Sequence, residues 1–243
     1  MRGGILALNF SMPQESAPDV TILVPALNEE NTIHEVISRL LALPLSMQIV
    51  VIDDGSTDRT PEILASFGEK IEVITNPTPG GKGRAIRKGL AVAKGKTVVI
   101  QDADLEYVPE ELPSLVNPIL NGNEEVVYGT RFAKGMHSGM ALPNKIANWL
   151  LRAEVFLLFG KKITDEATCY KAFRQGVLEQ MNLECERFEF CPEVTAKAIR
   201  LKKRILEVPI TYEPRTIEAG KKIRWTDGVE AFWTLLKHRF KKF

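Results

Sequence analysis

VVIQDADLEY, Val98 to Tyr107, runs from three apolar residues into acidic ones at alternate positions, Asp102, Asp104 and Glu106. In an extended chain alternate side chains point to one side, so this reading gathers three carboxylates at the end of a buried strand. Like charges held close raise one another's pKa. A hard divalent ion, Mg2+ or Mn2+, suits an all-oxygen site that leaves room for phosphate oxygens. The same letters also describe a solvated acidic loop, so the flanking chain has to decide.

Upstream, the chain repeats one unit. DVTILVP, Asp19 to Pro25, reads as a buried strand stopped by proline, and a helical pattern follows over Thr32 to Leu43. Met47 to Ile52 is a β-branched run ending in Asp53 and Asp54; GSTDRTPEILASF then starts a helix, with Ser56 or Thr57 as N-cap and Pro61 in the early turn. Ile71 to Thr75 is a third strand, leading through NPTPGGKG to a helix over Arg84 to Ala93. Strands alternating with helices predict a mostly parallel α/β sheet, and ligands of such sheets sit beyond the carboxyl ends of the strands. Asn28, Glu29, Asp53, Asp54, Lys82 and the Asp102 to Glu106 cluster all follow such ends. One shared crevice is expected.

Downstream, EELPSLVNPIL suggests a short helix, Glu125 to Arg131 a strand, and Ala133 to Met140 a Gly-containing loop. Pro143 to Phe159 is helical by pattern, with Trp149, Leu150, Ala153, Phe156, Leu157 and Phe159 making a broad apolar surface. Two readings of it stand: a core face, or a dock on lipid or a membrane partner. Thr164 to Arg174 returns to the sheet, Pro192 to Leu201 is a helix, Ile205 to Ile210 a strand, and Tyr212 to Arg224 a polar loop rich in Arg and Lys. Trp225 to Phe240 closes the chain as an amphipathic helix.

At 243 residues, one large domain is favoured, 19–243, behind a flexible tail, 1–18. A net charge of +1 argues against a nucleic-acid binder relying on a global positive field. Cys169, Cys185 and Cys191 form neither a CxxC pair nor a disulfide framework, which fits a reducing cytosol. No uninterrupted apolar stretch of about 18 residues is present, so a span is not expected, while contact with a membrane from one side is compatible with the sequence. Oligomeric state is left open.

GGKGRA, Gly80 to Ala85, is not a phosphate-binding P-loop: no glycine stands five residues before Gly81, and Gly83 replaces the hydroxyl residue that should follow the lysine. A Gly-rich turn with one lysine at a helix start can still meet phosphate. DDGSTD, Asp53 to Asp58, has ordinary turn chemistry, but at a strand end it puts Asp53 where it can accept from a base or ribose.

The ordered set PALNEENTI, VVIDDGSTDRT, NPTPGGKGRAIRKGLAVAKG and QDADLEYVPEEL resembles family 2 glycosyltransferases of GT-A fold, most closely the dolichyl-phosphate mannose synthases and related polyprenyl-phosphate enzymes. The resemblance runs over roughly Asp19 to Gly228. It implies a Rossmann-like, mostly parallel sheet flanked by helices, a nucleotide-sugar half (19–131) and an acceptor half (132–243). Pro25, Asn28, Glu29 and Asp53 match nucleotide-pocket positions, with Asp54 and Lys82 nearby. Asp102 and Asp104 match the DxD metal and diphosphate site, and Glu106 the position of a third polar ligand. Arg131 and Arg215 match residues that hold phosphates. The segment from Met136 to Asn148 departs from the Arg and Ser pattern of those synthases, with Asn144, Lys145 and Asn148 as substitutes.

The chemistry implied is metal-dependent, inverting transfer of a hexose from a UDP- or GDP-sugar. A hydroxyl acceptor needs a base, for which Asp165 is the candidate; that residue equally suits orienting Lys171 or a turn. A phosphate monoester, with a second pKa of about 6, needs no base but does need cations, and Arg131, Lys145, Arg215, Lys221, Lys222 and Arg224 supply them. Polyprenyl phosphate at the cytoplasmic face of a membrane is the favoured acceptor, with attachment through the two apolar helices and the basic C-terminus or through a membrane-protein partner. Transfer to a soluble saccharide, a nucleotidyltransferase and a non-catalytic nucleotide binder are the rivals.

Overall fold

VTILVPA and MQIVVID have scarcely a polar side chain between them, the pattern of strands covered on both faces. In the computed structural model, which describes residues 17–133, 142–215 and 225–242 and only the backbone of 143, 144 and 225, they form the centre of the sheet. The strands are β1 (Val20–Ala26), β2 (Met47–Asp53), β3 (Glu72–Thr75), β4 (Thr97–Ile100), β5 (Val126–Thr130), β6 (Lys171–Arg174) and β7 (Leu206–Pro209), in the order β3-β2-β1-β4-β6-β5-β7. β3, β2, β1 and β4 run parallel. β6 is antiparallel to both β4 and β5, and β5 pairs parallel with β7.

Alternation of side chains along β1 sorts the core into two layers. Ile22 and Val24 lie in one buried cluster with α1 (Ile33–Leu41), Leu64 of the short α2 (Thr60–Ala65) and α4 (Leu112–Leu120). Leu23 faces α3 (Lys82–Leu90), in a second cluster with α6 (Gln175–Met181) and α7 (Phe190–Arg200). A third, smaller cluster joins α5 (Leu142–Phe159) and α8 (Trp225–Phe240) to α7 through Leu151, Val155, Ala196, Ala231 and Leu235. The inner face of α5 is therefore core; Trp149, Leu150, Phe156 and Leu157 on the same helix are exposed, as are Phe232, Trp233 and Phe240 on α8. The core reading thus holds for one side of the helix, and the other side is exposed.

Three expectations need correction. Ser56 and Thr57 do not cap α2, whose N-cap is Arg59; Asp58 accepts from the Thr60 amide instead (2.9 Å). Thr164 to Arg174 enters the sheet only at Lys171, and α6 was not anticipated, its seven residues being too short for a helical period to declare itself. The strand bearing the acidic cluster ends at Ile100, before any of its carboxylates. Residues 1–16 of the expected tail, the 134–140 part of the expected loop and the cations Lys221, Lys222 and Arg224 lie outside the described residues.

Glu154 on α5 and Glu166 in the segment before β6 are both buried, and among the described residues none of their carboxyl oxygens has a hydrogen-bond partner. Burial, and then the charge of Glu166, pushes Glu154 up to about 8. Burial likewise raises Glu166 to about 7, against the pull of Lys171. The native chain thus binds more protons here than the unfolded chain, so stability falls as pH rises from about 4.5 through 8. Glu154→Gln should raise the melting temperature more at pH 8.5 than at pH 5; an equal gain at both, in thermal scans, would show that the pair does not hold these protons.

Candidate functional site

Beyond the carboxyl ends of β1, β2 and β4 lies a cavity of about 290 Å3, whose lining includes Pro25, Glu29, Asp54, Lys82, Asp102, Asp104, Glu106, Arg131 and Arg215. Its acidic wall is built by a turn rather than a strand. Leu105 takes a left-handed backbone (φ 57°), at a cost of about 1–2 kcal/mol. The Glu106 amide donates to Asp104 Oδ1 at 3.1 Å. The three carboxylates share the cavity through that turn, and the alternating-strand geometry expected for them is wrong.

Each carboxylate has a cation beside it. Lys82 Nζ, from the first residue of α3, donates to Asp102 Oδ1 and lies 3.0 Å from Cys169 Sγ. Burial works against the ammonium, but Asp102 together with Cys169 and Cys191 holds the Lys82 pKa well above the ordinary lysine value. Arg215 spans the cavity: Nη1 donates to Glu29 Oε2 (3.0 Å), Nη2 to Asp104 Oδ2 (2.6 Å), and its backbone amide to Glu106 Oε1 (2.9 Å). Glu106 Oε2 accepts from the Tyr212 hydroxyl at 3.0 Å. Asp104 is still pushed up to about 7, chiefly by burial and then by Asp102 and Glu106, with Arg215 only partly offsetting them. A half-buried carboxylate pair of hard oxygens, still short of positive charge, fits a divalent cation.

Around this wall the loops after β1, β2 and β3 lock together. Asn28, left-handed at φ 52°, receives the Thr57 amide on Oδ1 (2.8 Å) and sends its own amide to Ser56 Oγ (2.9 Å). It joins two loops and is not among the lining residues. Asp54 accepts from the amides of Gly80 and Gly81, at 2.9 and 2.7 Å on Oδ2, and so shapes the turn ahead of Lys82. That turn admits only glycine at 81: φ is +96°, and a Cβ would lie 2.5 Å from the Glu186 carbonyl oxygen. Asp53, 1% exposed, accepts the Ser56 amide on Oδ1 (3.0 Å), and among the described residues its Oδ2 has no partner.

Arg131 follows β5 and is held from behind. Asp165 accepts Nε on Oδ2 and Nη2 on Oδ1, both at 2.7 Å, and the Arg131 amide at 2.9 Å. The guanidinium also lies 4.9 Å from the centre of the Tyr212 ring, a cation–π contact. Asp165 is 0% exposed, with both oxygens on this arginine. With both oxygens so engaged, Asp165 positions Arg131, and to act as the expected base it would first have to release that guanidinium. Nor does it orient Lys171, which donates to the carbonyls of Glu166 and Thr168. Arg215 is also paired with carboxylates, Glu29 after β1 and Asp104 after β4. Tyr107, Tyr212, Cys169 and Phe188 line the cavity unforeseen; single aromatic or thiol residues carry no spacing signal. Of the expected acceptor-side residues, Asn148 accepts from Arg131 Nη2 at 3.5 Å, while Lys145 does not line the cavity.

Known proteins resemble this chain in sequence and in fold. The profile described as Glycosyl transferase family 2 matches residues 21–181. The low-salt glycan biosynthesis hexosyltransferase Agl6 of Haloferax volcanii is 32% identical over 218 residues, 88% of this chain and 52% of that protein. The dolichol-phosphate mannosyltransferase of Pyrococcus furiosus is 29% identical over 208 residues, 79% of this chain and 56% of that one. This chain thus spans little more than half of those two relatives. A UDP-N-acetylglucosamine–dolichyl-phosphate N-acetylglucosaminyltransferase of Methanococcus voltae is 28% identical over 240 residues, 89% of this chain and 94% of that protein. In fold, the chain superposes on glucosyl-3-phosphoglycerate synthase of Mycobacterium tuberculosis, crystallised with Mn2+, UDP and phosphoglyceric acid, with a TM-score of 0.71 at 22% identity, over 93% of this chain and 80% of that one.

Because the Arg131–Asp165 pair is buried, removing one partner strands the other. Asp165→Ala should cost about 3–5 kcal/mol of stability, read by urea denaturation, whereas a loss below about 1 kcal/mol would mean that Arg131 is held by other contacts.

Proposed function

The chain belongs to glycosyl transferase family 2, and on that premise we propose that it transfers a hexose, with inversion, from a UDP- or GDP-hexose to a polyprenyl or dolichyl phosphate. The observation that carries this reading is the Asp165–Arg131 pair: the one carboxylate considered as a base is consumed in fixing a guanidinium at the cavity. A hydroxyl acceptor needs a base. A phosphate needs the guanidinium, and it is already largely dianionic near neutral pH. The names of the Pyrococcus and Methanococcus relatives point the same way.

In this reading the nucleotide-sugar half is 19–131 and the acceptor half 132–243. Pro25, Asn28, Glu29 and Asp53 form or brace the nucleotide end; the spare Asp53 Oδ2 is where a base N–H or ribose hydroxyl would donate. Asp102 and Asp104, with Glu106 beside them, would hold Mg2+ or Mn2+, which when bound supplies Lewis-acid stabilisation of the departing diphosphate. Lys82 adds a fixed positive charge next to Asp102. Arg131 holds the acceptor phosphate on the face opposite the leaving group, so its oxygen attacks the anomeric carbon from behind and inverts it. Arg215 carries a second positive charge between the two ends of the cavity. Purified protein with labelled sugar nucleotides and Mn2+ should give a chloroform-soluble, mild-acid-labile product only when polyprenyl phosphate is present, and Asp104→Ala should abolish it while the far-ultraviolet circular dichroism stays unchanged. Product formed solely on soluble saccharides would sink the lipid reading.

No helix among the described residues is long and apolar enough to cross a membrane. In this reading the lipid acceptor is met from the cytoplasmic face, through the exposed apolar residues of α5 and α8 and the cations Lys237, Arg239, Lys241 and Lys242, or through a membrane-protein partner. Sedimentation with vesicles containing anionic lipid should carry the protein down, and the double substitution Trp149→Ser, Trp233→Ser should leave it in the supernatant; equal sedimentation of both would place the contact elsewhere.

A further inference from the structure

Of the three carboxylates on the acidic turn, Glu106 keeps different company from the other two. Asp102 and Asp104 meet the tips of long side chains, Lys82 Nζ and Arg215 Nη2. Glu106 instead meets the chain around Tyr212. Its Oε1 accepts from the Arg215 amide (2.9 Å), its Oε2 from the Tyr212 hydroxyl (3.0 Å) and its carbonyl oxygen from the Glu213 amide (3.0 Å). Tyr107 and Tyr212 form an antiparallel β-bridge, and Thr211 gives both its amide and its hydroxyl to Glu111, each at 2.8 Å. Residues 211–215 are thus a strap laid against 106–111, with Glu106 and Tyr212 both buried. The strap reaches both cations of the cavity wall: it carries Arg215, and its Tyr212 ring lies 4.9 Å from the Arg131 guanidinium.

We propose that Glu106 is the clasp of this strap and not a third metal ligand, so that Asp102 and Asp104 alone supply carboxylate oxygens to a divalent cation. The two aspartates can exchange a lysine or guanidinium tip for a metal ion, cation for cation, with no movement of the backbone. Glu106 has no such freedom. Turning either of its oxygens to a metal breaks a bond to the strap, and both hydrogen-bond partners are neutral, Arg215 Nε standing at 3.8 Å from Oε1. A metal there displaces no charge and undoes a backbone contact. The clasp also has a use: it fixes the backbone of Arg215, so the guanidinium can leave Asp104 for a phosphate oxygen while its own Cα stays at the cavity. Glu106 is therefore a positioning residue that acts through Arg215, in place of the third-ligand role implied by the family resemblance.

The division of the metal ligands rests on the cavity being the donor site; the clasp does not. Asp104→Ala and Glu106→Ala each remove one negative charge, so a difference between them reports contact with the ion rather than its field. With UDP present, Mn2+ affinity, read from the paramagnetic resonance signal of the free ion, should fall about tenfold or more in Asp104→Ala and less than about threefold in Glu106→Ala. Amide exchange followed by NMR should show the Arg215 amide losing about tenfold or more of its protection in Glu106→Ala. Glu106→Gln should restore that protection, since a carboxamide oxygen accepts from the same amide and its NH2 group donates to the Tyr212 oxygen. In the wild type, which decides the matter if a variant fails to fold, Mn2+ and UDP should leave the Arg215 amide protected. Equal losses of Mn2+ affinity in the two alanine variants, unchanged Arg215 amide protection in Glu106→Ala, or exposure of that amide when Mn2+ binds the wild type would each overturn the proposal. If Mn2+ with UDP does not bind the wild type at all, the donor-site reading fails, and the clasp stands or falls on the Arg215 amide in Glu106→Ala.

Discussion

Arg215 is the point on which the cavity turns. Its guanidinium meets Glu29 after β1 and Asp104 after β4, while its amide meets Glu106. Three carboxylates that would otherwise repel across a half-buried space are held in one arrangement by a residue from the far end of the chain. Without such a cation the acidic turn would have to open to water or take up protons, since packed like charges disfavour joint ionisation. Asp104, raised to about 7 even so, shows that the compensation is incomplete. That remaining deficit is what suits the turn to a further cation.

The same logic organises the rest of the site. Asp54 is satisfied by two glycine amides, Asp102 by Lys82, and Asp165 by a two-pronged contact with Arg131. Each acid thereby fixes the residue it binds, and fixed charges stabilise developing charge at little reorganisation cost. Asp165 illustrates how role follows from partner. As a lone carboxylate in TDEATCYK it suits a base; with both oxygens on one guanidinium it becomes the part that aims Arg131.

Burial also separates the two faces of α5. α5 contributes Leu151 and Val155 to a small core with α7 and α8, and turns Trp149 and Leu157 outward. Glu154, buried on the same helix, lies close enough to Glu166 for that charge to add to burial in raising its proton affinity. Opposite, Glu193 accepts the amides of Glu184 and Cys185 and the Lys197 ammonium, while Glu184, held down to about 2 chiefly by Lys241, ties the end of α8 to that node. The exposed apolar surface is thus carried on helices anchored at both layers.

Much of this was legible from the letters alone. Buried β-branched runs alternating with helical patterns dictate a mostly parallel sheet, because strands covered on both faces must be apolar throughout. The carboxyl-end rule then places Glu29, Asp54, Lys82 and the acidic cluster together. These are local signals, each contained within a dozen residues. What only the tertiary structure decided is which charge meets which. The Arg215–Glu29 contact joins residues 186 apart and the Arg131–Asp165 contact residues 34 apart. The antiparallel insertion of β6 between β4 and β5 brings Cys169 to the cavity and Asp165 behind Arg131. Periodicity reports the conformation of a segment and the face it buries. The partners of a side chain depend on register and crossing order, which no single segment encodes.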